Sequence, residues 1–442
     1  MNKEELKQKI CKVIDENRER IIAFNQKIYD NPELGYKETF STEAISQELK
    51  DLGLKVKKDI AVTGCKGRIE NQNPGPTIAL LGELDSITCP EHPDADPETG
   101  AVHACGHNIQ LSAMLGAAIG LVSSNVVNEL EGNVEFIAVP AEEYVELEYR
   151  SKLLEEGKIK FFGGKQELIY QGELDNVDLA MMIHSLDLGD KKALIGGSGN
   201  GFVGKKVQFV GKESHAGSAP EEGVNALNGA MLAMSNIHAQ RETFPEEEKV
   251  RVHPIITKGG DIVNVVPADV RIETYVRART IEGIIDANKK VNRSLKAGAM
   301  AVGAEINISD MPGYLPLLTD TEFDTLFKSN LTKFIGENNI QEGASFTGSF
   351  DFGDVSHLMP SLHPFFGGVK GDIHTRDFRL DDPELAIITP AKTLATTIVD
   401  LLFDEAQTAK EIIDDFDPEL TKEEYLGFLD GITRDIKEDF KD

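Results

Sequence analysis

Near the start of the chain, Leu6, Ile10, Val13, Ile21, Phe24 and Ile28 recur at steps close to three and four. That period predicts an amphipathic helix, and the turn residues Asn31, Pro32, Glu33, Leu34 and Gly35 mark its end. A second helix is predicted over about Ser41–Leu52. Beyond it, short apolar runs bounded by Gly, Pro and Asn alternate with helical stretches, the pattern of an α/β architecture. Three runs read as strands because of their length and bounds: Thr77–Leu81, Val134–Val139 and Leu179–Ile183. Each is followed at once by polar groups, namely Gly82, Glu83 and Asp85, then Glu142 and Glu143, then His184. In open α/β sheets the carboxyl ends of the strands face the crevice where ligands bind, so these side chains are expected to share one edge.

From about Ala193 the pattern changes. A long alternating strand (Phe202–Val210) is followed by a helix (about Asn225–Gln240), strands near Val250–Thr257 and Asp269–Tyr275, a second helix (Ile281–Leu295) and a strand near Glu305–Ile308. This βαββαβ order resembles a ferredoxin-like unit with its helices on one face. After Gly313 the chain returns to longer helices and to a Gly/Asp/His-rich segment, Gly343–His374. The expected organisation is therefore a first domain built from 1–192 and 313–442, interrupted by an inserted domain at 193–312. A closing helix over Ala391–Leu402 precedes an acidic tail, Asp404–Asp442, whose scattered Phe, Leu and Ile predict surface helices rather than a purely solvated segment. No internal repeat is present.

Charge narrows the possible functions. The 442 residues carry 46 Lys+Arg against 75 Asp+Glu, a formal charge of -29. A surface of that sign repels phosphate backbones and anionic lipid, and no basic patch offsets it, so neither nucleic acid nor a membrane is an expected partner. The apolar stretches are strand-sized or broken by polar residues, and the first ten residues are charged where a secretory signal would be apolar. A soluble, cytoplasmic protein is the expectation. Four scattered cysteines, Cys11, Cys65, Cys89 and Cys105, fit a reducing compartment and leave each thiol free for chemistry or burial.

The most informative stretch is His103, Ala104, Cys105, Gly106, His107, Asn108, which precedes a helix rich in small residues. Imidazole and thiolate are favoured ligands of zinc and its first-row neighbours, and Gly106 lets the backbone turn so that Cys105 and His107 can face one ion. Buried histidines beside an inert core cysteine would give the same short pattern. Glu142 and Glu143 at a strand end would repel each other without a cation to relieve them. One of them can hold a metal while the other takes a proton from water. His184 and His374 are weak signals singly. Together, Cys105, His107, Glu143, His184 and His374 form a mixed ligand set suited to two divalent ions, with Glu142 left as the base. In the inserted segment, His215, Asn264 in a glycine-led loop and Arg277 near a strand end offer an imidazole, an amide and a guanidinium. If they converge, they would receive a carboxylate and a developing oxyanion; polar side chains that merely face water are the plainer explanation.

Several of these stretches, in order and spacing, resemble the metal-dependent amidohydrolase and aminoacylase-like peptidase family that includes hippurate hydrolase, auxin-conjugate hydrolases and aminobenzoyl-glutamate hydrolase. The resemblance covers nearly the whole chain. It is carried by Asn31–Gly35, the Gly-Glu-Leu-Asp at Gly82–Asp85, the His-Ala-Cys-Gly-His-Asn at His103–Asn108 and the Pro-Ala-Glu-Glu at Pro140–Glu143. It continues through Ser214–Gly217, the Gly259–Pro267 loop, Gly348–Ser356 and His374–Phe378. The resemblance implies a mixed-sheet, zinc-peptidase-like catalytic domain interrupted by a ferredoxin-like α+β lid and dimerisation domain. It further implies two divalent metal ions (Zn, Mn, Ni or Co) on Cys105, His107, Glu143, His184 and His374, with Glu142 as general base and acid. Asp85 is implied to orient a metal-binding histidine. His215 is implied to polarise the scissile carbonyl, often across a homodimer interface, and Asn264 and Arg277 to contact the substrate carboxylate. The sequence departs from the usual pattern at Asn108, Ile109 and Gln110, in the long Glu91–Val102 segment, and at Tyr144–Lys165, which replaces a glycine-rich stretch. The first departure moves it toward the branch with aminobenzoyl-glutamate hydrolase and dipeptide-cleaving relatives.

The function expected is metal-dependent hydrolysis of the amide bond of small N-acyl or N-aroyl amino acids. Three alternatives compete with it: a dipeptidase, a hydrolase with Cys105 as nucleophile, and a noncatalytic binder of small amides or metals. The surplus of ligand types argues against the cysteine nucleophile, and the retention of both Glu142 and Glu143 argues against the binder.

Overall fold

The computed structural model describes residues 1–71 and 73–440. The chain forms two compact units. One comprises Met1–Ser198, Leu318–Ser345 and Asp354–Glu419; the other comprises Gly199–Leu317, Phe346–Gly353 and Leu420–Asp442.

The first unit is organised on a six-stranded mixed sheet in the order Lys55–Ile60, Gly64–Ile69, Asn133–Val139, Thr77–Glu83, Leu179–Met181, Ser361–Leu362. The four strands from Asn133–Val139 onward are mutually parallel, and the first two add an antiparallel hairpin. Thr77–Glu83 is buried along its whole length, as expected of a central strand covered on both faces. The helix His107–Ser123 packs against it and is itself almost wholly buried, which explains a sequence apolar all round rather than on one stripe. Close packing on that helix depends on its glycines: a Cβ on Gly116 would lie 2.8 Å from that of Ala391, and one on Gly120 would lie 2.8 Å from Ile14. The Glu384–Leu402 stretch, long and apolar enough to cross a membrane, is instead buried within the unit as a core helix.

The start of the chain corrects one expectation. The single predicted helix is two, Lys3–Glu16 and Arg18–Tyr29. Asn17 separates them, its side-chain Nδ2 donating to the Val13 carbonyl at 2.9 Å. The break was hidden because Ile14 and Ile21, both fully buried, lie seven residues apart and keep one apolar face across it.

The second unit is an antiparallel sheet ordered Arg251–Val252, Asp269–Ala278, Gly201–Val210, Glu305–Pro312, Arg434–Asp439, with Ile255–Lys258 also pairing with Asp269–Ala278. Helices Ala226–Ala239 and Ile281–Met300 cover it, and Phe209, Ile272, Val291, Leu295 and Ile306 are among the residues buried between them. The βαββαβ order matches the expectation. The tail does form helices, Gln407–Asp415 and Lys422–Ile432, and then contributes the strand Arg434–Asp439 beside Glu305–Pro312. That strand has one apolar residue, Ile436, so alternation could not reveal it. Its charged composition is the usual guard of a sheet edge.

Candidate metal centre

The three parallel strands place their following residues at one edge of the first unit's sheet. Thr77–Glu83 delivers Glu83 and Asp85, Asn133–Val139 delivers Glu142 and Glu143, and Leu179–Met181 delivers His184. Two backbone reversals complete the arrangement. Gly106 takes φ +86, a left-handed conformation open to glycine at little cost, and so turns the chain between Cys105 and His107. Ala141 takes φ 54 immediately after the strand, swinging Glu142 and Glu143 over the edge. His374 also has positive φ, 64, and its N–H donates to the Ala104 carbonyl at 2.8 Å.

The donors gather into three groups. Cys105, His107 and His184 form the first and Cys105, Glu143 and His374 the second, the two sharing one sulfur; Glu83, His107 and Glu142 form the third. Cys105 Sγ lies 3.5 Å from His184 Nε2 and 3.3 Å from His374 Nε2, and His374 Nε2 lies 3.0 Å from Glu143 Oε1. Donors about 2.0–2.3 Å from a tetrahedral ion lie roughly 3.3–3.8 Å from one another, so spacings within about 0.3 Å of that range suit a pair of divalent cations. The histidines are held in the required orientation. His107 Nδ1 is engaged by the Asp85 carbonyl at 2.8 Å and by Asp85 Oδ1 at 3.2 Å, and His184 Nδ1 by the Ser185 carbonyl at 2.8 Å, so both present Nε2. Asp85 Oδ2 also accepts from the Glu143 N–H at 2.9 Å, tying the orientation of His107 to the Glu142–Glu143 turn.

The electrostatics agree. Burial and Glu143 oppose ionisation of the Cys105 thiol, but His107, His184 and His374 outweigh them and bring it down to about 6. Burial opposes the charge on His374, yet Glu143 and Cys105 hold it up to about 11. Thiolate, carboxylates and imidazoles packed so closely out of water call for a cation. Glu142 lies at the margin, 7 % exposed, with Oε2 3.8 Å from His107 Nε2. It is near enough to act at the same centre and is absent from both sulfur-sharing groups.

Three contributing residues, Glu38, Arg150 and Lys165, were not among the sequence-derived candidates, and a fourth, Glu83, was marked only as a polar group after a strand. Glu38, fully buried, accepts the Ala141 N–H at 2.8 Å, and burial together with Asp85 pushes its carboxyl up to about 7. Arg150, 0 % exposed, donates to the carbonyls of Ala141, Glu143 and Phe162, clamping the turn that carries the paired glutamates. It comes from the Tyr144–Lys165 segment, whose departure from the family pattern was the only signal available. Lys165 and Glu83 form a buried ion pair of 2.5 Å beside His107. His103, by contrast, is buried outside both sulfur-sharing groups. Arg150→Ala is expected to destabilise the protein by roughly 2–4 kcal/mol, since buried carbonyls lose a charged donor. A drop in the urea midpoint measures this, and a variant within about 0.5 kcal/mol of the parent would show that Arg150 does not clamp the turn.

In the second unit His215 and Asn264 stand on adjoining segments: His215 bridges to Val265, and the Ala216 N–H donates to the Asn264 carbonyl at 2.9 Å. Arg277 does not join them. It pairs with Phe202 at one end of the Gly201–Val210 strand, whereas His215 follows the other end, where Val210 pairs with Asp269. Those ends are eight residues apart, roughly 27 Å at the rise of an antiparallel strand. Arg277 lies instead over the rings of Phe202 and Tyr275, 5.7 and 5.5 Å from their centroids. Convergence of all three side chains within one copy of this unit is thus not what the strand register gives.

Comparison with known proteins places this centre in context. The chain is 30% identical to the Xaa-Arg dipeptidase of Mus musculus over 91% of its own length and 90% of that protein's. Its fold is similar to that of a dinuclear metal-binding peptidase of the M20 family from Bacillus subtilis, with a TM-score of 0.63 and 22% identity over 87% of this chain and 98% of that one. It is also similar to an aminobenzoyl-glutamate utilization protein from Klebsiella pneumoniae, with a TM-score of 0.65 and 17% identity over 88% and 97% of the two chains. The family model for peptidase family M20/M25/M40 matches residues 79–399, the span that holds the donor groups and the inserted strands and helices. Cofactor and reaction class follow, a pair of divalent metal ions and hydrolysis of a peptide-like C–N bond, and the chain belongs to peptidase family M20/M25/M40.

Proposed function

We propose that this metal-dependent hydrolase cleaves the amide bond of small N-acyl or N-aroyl amino acids, conjugates of the aminobenzoyl-glutamate kind, to a carboxylic acid and an amino acid. The observation that carries the reading is the pair of donor groups sharing Cys105, with Glu142 at their margin. In this reading Cys105, His107, Glu143, His184 and His374 hold the ions. When bound, the ions supply Lewis-acid polarisation of the carbonyl and an increased acidity of water. Glu142 takes a proton from the attacking water and returns it to the amine nitrogen as the C–N bond breaks. Asp85 keeps His107 in the tautomer that presents Nε2. His215 donates to the carbonyl oxygen as negative charge develops there, and Asn264 and Arg277 bind the substrate carboxylate.

His215 and Arg277 occupy opposite ends of one strand pair, so both serve one substrate only when more than one chain contributes. A homodimer through the inserted segment is accordingly part of the proposal. Sedimentation of the full chain should give twice the monomer mass, and a purely monomeric, active enzyme would remove that part. The cytoplasm is the proposed compartment, where the four free cysteines, Cys105 among them, stay reduced.

A second reading, hydrolysis of dipeptides with a basic C-terminal residue, is favoured by the similarity to the mouse Xaa-Arg dipeptidase. The net charge of -29 also favours it, since it attracts cationic substrates. Free-amine release from a panel of N-acyl amino acids, aminobenzoyl-glutamate and Xaa-Arg, Xaa-Lys and neutral dipeptides, each with and without chelator, separates the two. Chelator-sensitive cleavage of the acylated compounds supports the first reading. Cleavage confined to basic dipeptides, slowed by added salt, replaces it with the second.

A further inference from the structure

The two donor groups that share Cys105 leave out Glu83, although this carboxylate forms a further group with His107 and Glu142. The Thr77–Glu83 strand runs beyond its predicted end at Leu81, and Glu83 is its last residue, paired in register with Val139. Its side chain is 1 % exposed. One oxygen, Oε1, receives Lys165 Nζ at 2.5 Å, and Lys165 is itself fully buried. The other, Oε2, has no hydrogen-bond partner among the described residues and lies 3.1 Å from His107 Nε2. That nitrogen is the one His107 presents, because Asp85 engages Nδ1. A buried carboxylate oxygen aimed beside a ligating nitrogen, at the spacing of two donors on one ion, has the position of a ligand.

We propose that Glu83 is an additional metal ligand, joining His107 through Oε2, and that Lys165 is the positioning residue that holds its other oxygen. The inference rests on the metal-centre reading given above. With Oε1 fixed by the ammonium, Glu83 offers one oxygen rather than two. The local sequence supports the placement of Lys165: a Cβ on Gly164 would lie 1.6 Å from the Pro140 carbonyl oxygen, so glycine is required for the helix Gly164–Gln171 to start against the glutamate-bearing turn.

The test is metal binding by the full-length chain, independent of turnover. Apoprotein is titrated with Zn²⁺ and with Co²⁺ under chelator competition, and the visible absorption of the cobalt form is recorded. The parent should bind two ions. Glu83→Gln should weaken one of them, the ion His107 holds, by about 100-fold or more, beyond the usual effect of residues that merely support a ligand. The other ion should be unchanged, and the cobalt spectrum should alter in position and intensity. Because Glu83→Gln removes one half of a buried ion pair, the double variant Glu83→Met/Lys165→Met, which removes both charges of that pair at similar volume, is measured beside it. It should show the same loss. Two ions bound with parental affinity and an unchanged cobalt spectrum in a folded variant would overturn the role of Glu83 while leaving the five-ligand centre standing. A parent that binds no ions would overturn both.

Discussion

Glu142→Ala is expected to lower kcat by about 10²–10⁴-fold, the contribution of a positioned general acid and base, while two metal ions per chain remain bound. The two parts of that outcome have separate structural origins. Glu142 belongs to neither sulfur-sharing donor group, and its Oε2 is 3.8 Å from His107 Nε2, so removing it takes away a proton acceptor while leaving every donor around Cys105 in place. The backbone that follows it is held independently, by Asp85 at the Glu143 N–H and by Arg150 at the Glu143 carbonyl. Metal analysis beside steady-state kinetics on whichever amide proves to be the substrate checks the expectation. Loss of metal together with turnover would make Glu142 a ligand, and unimpaired turnover would remove it from the proton path.

Cys105→Ala is expected to have the larger effect on the cofactor, because its sulfur is shared by two donor groups. Glu143, His184 and His374 each serve one. Each position loses a thiolate at once, and both affinities should fall by more than the roughly 10–100-fold typical of residues that only support ligands. Turnover should vanish at ordinary metal concentrations. His184→Ala and His374→Ala are the controls, since each should weaken one ion and spare the other. Competition with a coloured chelator resolves the two classes. A Cys105→Ala enzyme that still binds both ions tightly would show that the shared sulfur is not a bridge, and one that binds both but fails to turn over would revive the cysteine-nucleophile alternative.

Much of this centre was legible before any coordinates were drawn, for a physical reason. Ligands at strand ends follow apolar runs that are themselves recognisable, so Glu142, Glu143 and His184 were marked by what precedes them. Cys105 and His107 were marked by a glycine between two soft donors. Glu83 was marked in the same way, as a polar residue after the Thr77–Leu81 run, but Glu38, Arg150 and Lys165 were not. A buried ion pair such as Glu83 with Lys165 joins residues far apart in sequence, and each looks like an ordinary solvated charge until its partner is known. Arg150 acts through backbone carbonyls, which carry no sequence signature at all. In the inserted unit, the βαββαβ order was readable from alternation, but the convergence of His215, Asn264 and Arg277 was not testable without strand register. Register puts Arg277 opposite Phe202, at the far end from His215.

The strand Arg434–Asp439 has a consequence for how the protein is made. It pairs with Glu305–Pro312, so the sheet of the inserted unit is completed by residues synthesised well after the strand they pair with. Until then the backbone groups of Glu305–Pro312 that face Arg434–Asp439 have no partner, an open edge on an otherwise foldable unit. Folding of this unit therefore waits for a long-range pairing of the slow kind, and the nascent chain carries an aggregation-prone edge until Arg434–Asp439 has emerged.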